Sequence, residues 1–404
     1  MRAKILFISY YSHQAKYFEV LKDRLKEKHK IYHLDATKSF FKGVFNRQSD
    51  LPLNQDEKEE LINYTYLQFK KSRKKDEDDF INRVYKKLLN KSAKILYHYF
   101  LNFIQEKEID LVIVWNGYRV QTTTVLKAAE KLGVNKLYME NGFFPKTLVM
   151  DPKGVNAANS LSNKGKSFYQ QVEVDERRVN KLKKSQLEQR ELREEGLSKL
   201  RKKLLNEENV QLPEKFIFLP FQVLTDTQII INSPQIDNMQ QLVDSVYSAL
   251  KKFNQKHDEN YWIVAKEHPS DFGKRDYSDL KEKYNDEQVM FLTKMSAEDL
   301  IELSQAVVTI NSTVGIEGLL KDKPVITLGD AFYNVEDIVY HADDLSALDQ
   351  VIAEAVFEDL DHKLIDKFLY YLRYEYLVEA DKKNANQDNV GAVIDRIEAV
   401  LNKK

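Results

Sequence analysis

Short continuous apolar runs alternate along the chain with longer segments of helical spacing. Lys4–Ser9 (KILFIS) is the first run and reads as a strand buried on both faces of a parallel sheet. From His13 to about Lys28 the apolar residues Phe18, Leu21 and Leu25 keep helical spacing, and Lys30–Leu34 (KIYHL) reads as the next strand. Residues 40–105 carry a mostly helical pattern rich in Lys, Tyr and Leu. Asp110–Trp115 (DLVIVW) is a buried strand followed by the turn Asn116-Gly117. Residues 122–132 form a helix that Gly133 stops, and Lys136–Met139 starts another strand. This alternation predicts an α/β domain.

Residues from about 170 to 210 change character, because charges dominate and Gly and Pro nearly vanish. They read as a solvated helical connector. Leu197, Leu200 and Leu204 keep helical spacing, whereas Leu182, Leu187 and Leu192 recur every five residues and drift around the helix. The pattern then restarts. Lys215–Pro220, Asn260–Lys266, Gln288–Leu292, Ala306–Ile310 and Pro324–Leu328 read as strands. Helices are expected over 236–254, 296–304 and from Val314 to Leu320. The predicted fold class is α/β, with two Rossmann-like domains facing a cleft. The expected division is 1–170 for the first domain, 171–210 for the connector and 211–365 for the second domain, with helices over 366–404 packing back on the first domain.

Composition narrows the function. The 404 residues are 43% apolar and 31% charged, enough for two cores and a soluble surface. With 62 basic and 63 acidic residues the net charge is −1, which argues against a dedicated nucleic-acid binder. There is no Cys, so disulfides, thiolate nucleophiles, zinc-thiolate sites and iron–sulfur clusters are excluded, and a cytoplasmic location is expected. No apolar run reaches the roughly 18–20 residues that span a bilayer, and Ile5–Ile8 is too short for a secretory core. The eight His residues are scattered, so neither a metal nor a cofactor is expected.

In open α/β sheets ligands bind beyond the carboxyl ends of the strands, which makes the polar residues after the apolar runs the candidates. Glu140, in Glu140-Asn141-Gly142, is either a general acid or base or a turn-stabilising carboxylate. Asp226 is a nucleophile, a base or an Asx turn. Lys266, His268 and Pro269 suit an anionic ligand group. Asn311, Ser312 and Thr313 open a helix with Gly315 and Glu317 in its first turn, an arrangement that fits an anion and a ribose diol or an ordinary cap. Gly329 to Tyr333 is a further loop at the same edge. The lysine of a Walker A loop is missing, and no G-x-G-x-x-G stands at the first strand-to-helix turn.

These segments together resemble the capsule polysaccharide β-Kdo glycosyltransferases, in the shorter single-transferase form. The likeness is carried by Trp115-Asn116-Gly117, by Glu140-Asn141-Gly142-Phe143 and by Asp151-Pro152-Lys153-Gly154-Val155-Asn156. In the second half it is carried by Gln222 to Asp226, Lys266 to Pro269, Asn311 to Leu319 and Gly329 to Tyr333. The resemblance implies a GT-B fold and a retaining transfer from CMP-β-Kdo. Asp226 would be the nucleophile, and Glu140 the general acid/base or an orienting group. His268, Pro269, Ser312, Thr313 and Glu317 would hold CMP, with Lys266 and the Asn311–Thr313 helix start available to the phosphate. The basic residue that usually follows His-Pro is displaced, since Ser270 comes next and Lys274 or Arg275 only later.

The resemblance also implies a glycolipid or lyso-phosphatidylglycerol acceptor and peripheral contact with an anionic inner membrane. The aromatic and basic stretch 64–104, with Lys70, Lys71, Arg73, Lys74 and Lys75, and the aromatic segment Phe368–Val378 are the material for that contact, or else core-facing helices. Two alternatives stand beside this reading. One is a GT-B transferase using CMP-sialic acid or a UDP-sugar. The other is a non-catalytic nucleotide-sugar-binding protein of capsule assembly.

Overall fold

The computed structural model describes residues 2–44, 51–73, 79–184, 211–271, 275–386 and 388–402. The chain divides into two compact units, Met1–Ser160 with Arg373–Lys404 and Leu161–Leu372.

The first unit holds a six-stranded sheet in the order β12-β5-β4-β3-β1-β2. Its strands are β1 (Lys4–Ser9), β2 (Lys30–Asp35), β3 (Leu111–Trp115), β4 (Asn135–Asn141), β5 (Thr147–Asp151) and β12 (Val378–Glu379). The apolar run of β1 is continuous because both faces are covered. Ile5 and Phe7 join Tyr17, Phe18 and Leu21 of the Ser12–Leu25 helix on one side. Leu6 and Ile8 join Leu96, Tyr97 and Phe100 of the Phe80–Lys107 helix on the other. The period-2 alternation of a strand thus delivers one six-residue run to two cores.

This sheet is mixed. β1, β2, β3 and β4 are parallel, whereas β5 runs antiparallel to β4 and β12 antiparallel to β5. The β4–β5 hairpin depends on Gly142, whose N–H donates to the Thr147 carbonyl at 2.8 Å. A Cβ there would fall 2.0 Å from Thr147 Oγ1, so only glycine fits. β12 and the Gly391–Asn402 helix complete the unit, with Val393, Ile394 and Ile397 in the same cluster as Ile5 and Phe7.

The second unit has a parallel sheet in the order β11-β10-β9-β6-β7-β8. Its strands are β6 (Phe216–Pro220), β7 (Trp262–Lys266), β8 (Val289–Leu292), β9 (Ala306–Thr309), β10 (Val325–Thr327) and β11 (Tyr340–His341). Ile217, Leu219, Ile263 and Val308 pack with Leu242, Val246 and Phe253 of the Met239–His257 helix.

The boundaries differ from the expected ones. Residues 161–184 and 366–372 belong to the second unit. Tyr169 lies edge-on to Phe368 at 5.2 Å, and Lys183 pairs with Asp322 and Asp366, each at 2.7 Å. The apolar contacts of Tyr169, Val179 and Leu182 outweigh the highly charged composition of this stretch. Residues 185–210, with Leu187, Leu192, Leu197, Leu200 and Leu204, lie outside the described residues. The aromatic segment Phe368–Val378 is core material, since Phe368, Leu369, Leu372, Tyr376, Leu377 and Val378 are all buried.

Candidate active site

In the second unit the chain lays down β6, β7 and β8 to one side and then crosses to place β9 on the other side of β6. The strand order therefore reverses at the β6–β9 pair, the place at which open α/β sheets bind ligands beyond the carboxyl ends. Gln222 and Asn311, both buried, stand at that point. Gln222 Nε2 donates to Asn311 Oδ1 at 3.0 Å, and Gln222 Oε1 accepts from Thr309 Oγ1 at 3.2 Å. Asn311 Nδ2 donates to the carbonyls of Gln228 and Asn232 at 3.0 and 2.8 Å. The Asn311 amide is spent inside the protein, where it braces the loops after β6 and β9.

Ser312 Oγ accepts from the Val314 N–H at 3.2 Å, so the Ser312 hydroxyl is turned onto the helix start. Thr313 and Glu317 are exposed, and the Thr313 side chain makes no capping bond. The Gly329–Tyr333 loop closes on the same place. The buried Tyr333 hydroxyl donates to the Ser312 carbonyl, and Asp330 N–H donates to the Asn232 carbonyl at 2.8 Å. Burial pushes the Tyr333 phenol far above its ordinary range, so it stays a donor. Gly315 is required for this approach, because a Cβ there would lie 2.6 Å from the Tyr333 hydroxyl oxygen.

β7 ends at Lys266, whose ammonium is mostly buried and donates to the carbonyls of Glu267 and Thr293 at 3.3 and 3.2 Å. His268 follows in a tight turn. Its Nδ1 accepts from the Ser270 N–H at 3.1 Å, which assigns the ring proton of the neutral form to Nε2. Burial pushes the His268 imidazole below its ordinary value, against the opposing pull of Asp271 and Asp226. Asp226 is thus within electrostatic reach of His268. Asp226 Oδ1 caps the Thr227–Ile231 helix by accepting from the Gln228 N–H at 2.9 Å, and the exposed carboxylate keeps Oδ2 for other chemistry. Pro269 is exposed in the turn. Arg275 reaches the buried Asp271 at 3.8 Å, and Lys274 lies outside the described residues.

The first unit reverses its strand order at β1 and β3. Asn116 and Gly117 follow β3 with φ of 66° and 102°, and this left-handed turn folds the Asn116 side chain back over β4. Asn116 Nδ2 donates to Glu140 Oε2 at 2.8 Å. Glu140 Oε1 accepts from the Asn141 N–H at 2.8 Å and from Trp115 Nε1 at 3.3 Å. Both oxygens of the half-buried carboxylate are therefore aimed by neighbours.

Lys382, far along the chain, completes this group. Its ammonium donates to Asn141 Oδ1 at 2.5 Å and lies 4.9 Å from the Trp115 ring centroid. Burial lowers the Lys382 pKa, against the pull of Glu140. No motif marks Lys382 in the sequence. Nor does one mark Arg119, whose guanidinium sits 4.9 Å over Tyr10 and donates to the Tyr11 hydroxyl at 2.8 Å beside the β1 tip. Asp151 is a buried strut, accepting from Tyr376, Ser160 and Lys153. Among the described residues no His, Asp and Glu cluster with the makings of a metal site, and no helix is long and apolar enough to cross a membrane.

The relatives fit this picture. A model of the family described as "Capsule polysaccharide biosynthesis protein" matches residues 177–374. Protein FixF of Sinorhizobium fredii is 32% identical over 301 residues, covering 74% of this chain and 68% of that protein. The capsule polysaccharide export protein KpsS of Escherichia coli is 32% identical over 183 residues, 44% of this chain and 43% of that one. Among solved structures, the beta Kdo 2,7 transferase KpsC of Thermosulfurimonas dismutans is similar over 99% of this chain and 100% of that chain. The TM-score is 0.50 at 16% identity, a likeness of fold: two Rossmann-like domains of the GT-B kind. On the extent and identity of the match to FixF, together with the family match across the second unit, this chain belongs to the capsule polysaccharide biosynthesis protein family.

Proposed function

We propose that this chain is a retaining glycosyltransferase that moves β-Kdo from CMP-Kdo to a glycolipid or lyso-phosphatidylglycerol acceptor in capsule linker synthesis. The observation that carries the reading is the arrangement at the β7 tip. A neutral His268 with its proton on Nε2 stands within electrostatic reach of the Asp226 carboxylate, beside the β6–β9 switch point. The sugar assignment is supported by the likeness to KpsC, a beta Kdo 2,7 transferase.

The chemistry follows from these groups. As the bond from the anomeric carbon of Kdo to the phosphate oxygen breaks, Asp226 Oδ2 bonds to that carbon, forming a glycosyl ester. His268 Nε2–H and the Thr313 hydroxyl donate to the departing phosphate, and Lys266 adds positive charge. Glu317 accepts from the ribose diol. The acceptor hydroxyl then displaces the Asp226 carboxylate from that carbon and loses its proton to a general base, so the two inversions retain configuration. The leaving group is a monophosphate, and no diphosphate needs a bridging metal.

The test is mass spectrometry of protein and products with CMP-Kdo generated in situ and a short-chain lyso-phosphatidylglycerol. A Kdo-modified lipid that Asp226→Asn abolishes is the expected result. CMP, and not UDP, should raise the melting temperature. Folded protein that neither turns over nor responds to CMP would overturn the reading.

A further inference from the structure

The carboxyl edge of the first unit carries a group that the proposed transfer leaves unused. Tyr10 and Tyr11 follow β1 and Arg119 follows β3, so the three residues straddle the point where the strand order reverses. The Arg119 guanidinium lies 4.9 Å from the Tyr10 ring centroid and 5.6 Å from that of Tyr11. The two rings meet edge to face at 4.8 Å.

Both sides of this group are fixed by the fold. The N–H groups of Tyr10 and Tyr11 donate to Oε1 of the buried Gln14 at 2.9 and 3.1 Å. Across the edge, the Val120 N–H donates to Thr65 Oγ1 at 3.0 Å, and the Thr123 hydroxyl donates to the Leu61 carbonyl at 2.8 Å. These bonds pin the start of the Val120–Lys131 helix to the Gln55–Ser72 helix.

A guanidinium has five N–H donors. Among the described residues no carboxylate pairs with Arg119, and its side chain gives one hydrogen bond, to the Tyr11 hydroxyl at 2.8 Å. Arg73, in the basic stretch expected to meet an anionic surface, is by contrast committed to Asp79 and Asn82, and Lys74 and Lys75 lie outside the described residues. An arginine that only braced two loops would spend its donors on carboxylates or carbonyls. Stacking on rings holds Arg119 in place and leaves the edge of its fork open, a shape that takes both oxygens of a carboxylate or phosphate. The surface beside it is aromatic. Tyr11 is 43% exposed, and its ring is stacked on that of the exposed His13, 5.6 Å away and 11° from parallel. The negative faces of such rings attract the C–H groups of a sugar or polyol.

We propose that Arg119, Tyr10 and Tyr11 form a binding site for an oxyanion carried on a sugar or polyol, with the guanidinium on the carboxylate or phosphate and the Tyr11–His13 pair against the carbon skeleton. A sugar acid and a glycerol phosphate share this chemistry. Asp226 and His268 belong to the second unit, so the site stands apart from the donor assignment, and its test reads binding and not turnover.

The experiment follows the His13 ring by NMR in the full chain at fixed pH, its resonance identified with His13→Gln. Free Kdo, sn-glycerol 3-phosphate and neutral methyl glucoside are the probes. A saturable shift with at least one anion, and none with methyl glucoside, is expected, and the anion that binds more tightly identifies the source. Arg119→Met should weaken that binding about tenfold to a hundredfold, as the loss of a charged hydrogen bond implies. Arg119→Lys keeps the charge without the fork and should fall between. Unaltered circular dichroism in both variants separates a lost site from a lost fold. No saturable shift with either anion, an equal response to methyl glucoside, or unchanged affinity in folded Arg119→Met would overturn the proposal and leave Arg119 a brace between loops.

Discussion

The change Gly315→Ala tests the architecture around Ser312. It places a methyl group 2.6 Å from the Tyr333 hydroxyl oxygen and 3.0 Å from two ring carbons. Tyr333 cannot swing away, because it is 1% exposed and its hydroxyl is held by the Ser312 carbonyl. Forced repacking of this kind costs about 1–3 kcal/mol. Disturbing the hydrogen bond adds roughly 0.5–1.5 kcal/mol. Alanine returns up to about 1 kcal/mol over glycine in a helix. The net loss is then about 0.5–4.5 kcal/mol, or roughly 1–18 °C in melting temperature for a unit of this size.

Urea unfolding reads it directly. The chain has two tryptophans, so in a Trp115→Phe background the fluorescence of Trp262, on β7, reports the second unit alone. Tyr333→Phe removes the nearest clashing atom but leaves the Ser312 carbonyl without its donor. The double variant should therefore lose about 1 kcal/mol less than the sum of the single losses. Strictly additive losses, or a Gly315→Ala protein as stable as the parent, would refute the packing argument.

Two more predictions concern the groups beside this turn. Asp226→Asn should keep stability close to the parent's, since Asn caps helices as well as Asp, while Asp226→Ala should cost about 0.5–2 kcal/mol. Equal destabilisation by both changes would show that the Oδ1 cap does not hold the loop. For His268, burial lowers the folded pKa below the unfolded value of 6.5. Between these two values the unfolded chain carries a proton that the folded chain does not. Its contribution to stability is therefore complete above about pH 6.5 and is lost as pH falls toward the folded value. A titration of the His268 ring by NMR should place its midpoint below 6.5, and a midpoint above that would overturn the assignment.

Much of the fold was legible because its signals are local. Strand runs such as Asp110–Trp115 and Trp262–Lys266 are apolar on both faces, and that is written in five or six adjacent residues. Gly133, with φ of 64°, ends the Val120–Lys131 helix where the sequence places the stop. The hairpin strand β5 and the two-residue β12 were not legible. The first depends on a turn that only glycine can make, and the second on a partner more than two hundred residues away.

The candidate site divides the same way. Residue type and position after a strand were enough to single out Glu140, Asp226, Lys266, His268 and Ser312, because a parallel sheet presents the ends of its strands at one edge. Their partners belong to the tertiary structure alone. Lys382 reaches Asn141 across 241 positions, Asn311 meets Gln222 across 89, and Tyr333 holds Ser312 across 21. The internal bonds of the Asn311 amide, and the exposure of Phe80, Val84 and Leu88, follow from packing. An apolar ridge reads identically in the sequence whether it faces a core or water. Periodicity therefore determined the elements and the edge where chemistry can stand. Which side chains are spent on the protein, and which stay exposed, was decided only when distant segments competed for the same hydrogen bonds and the same buried space.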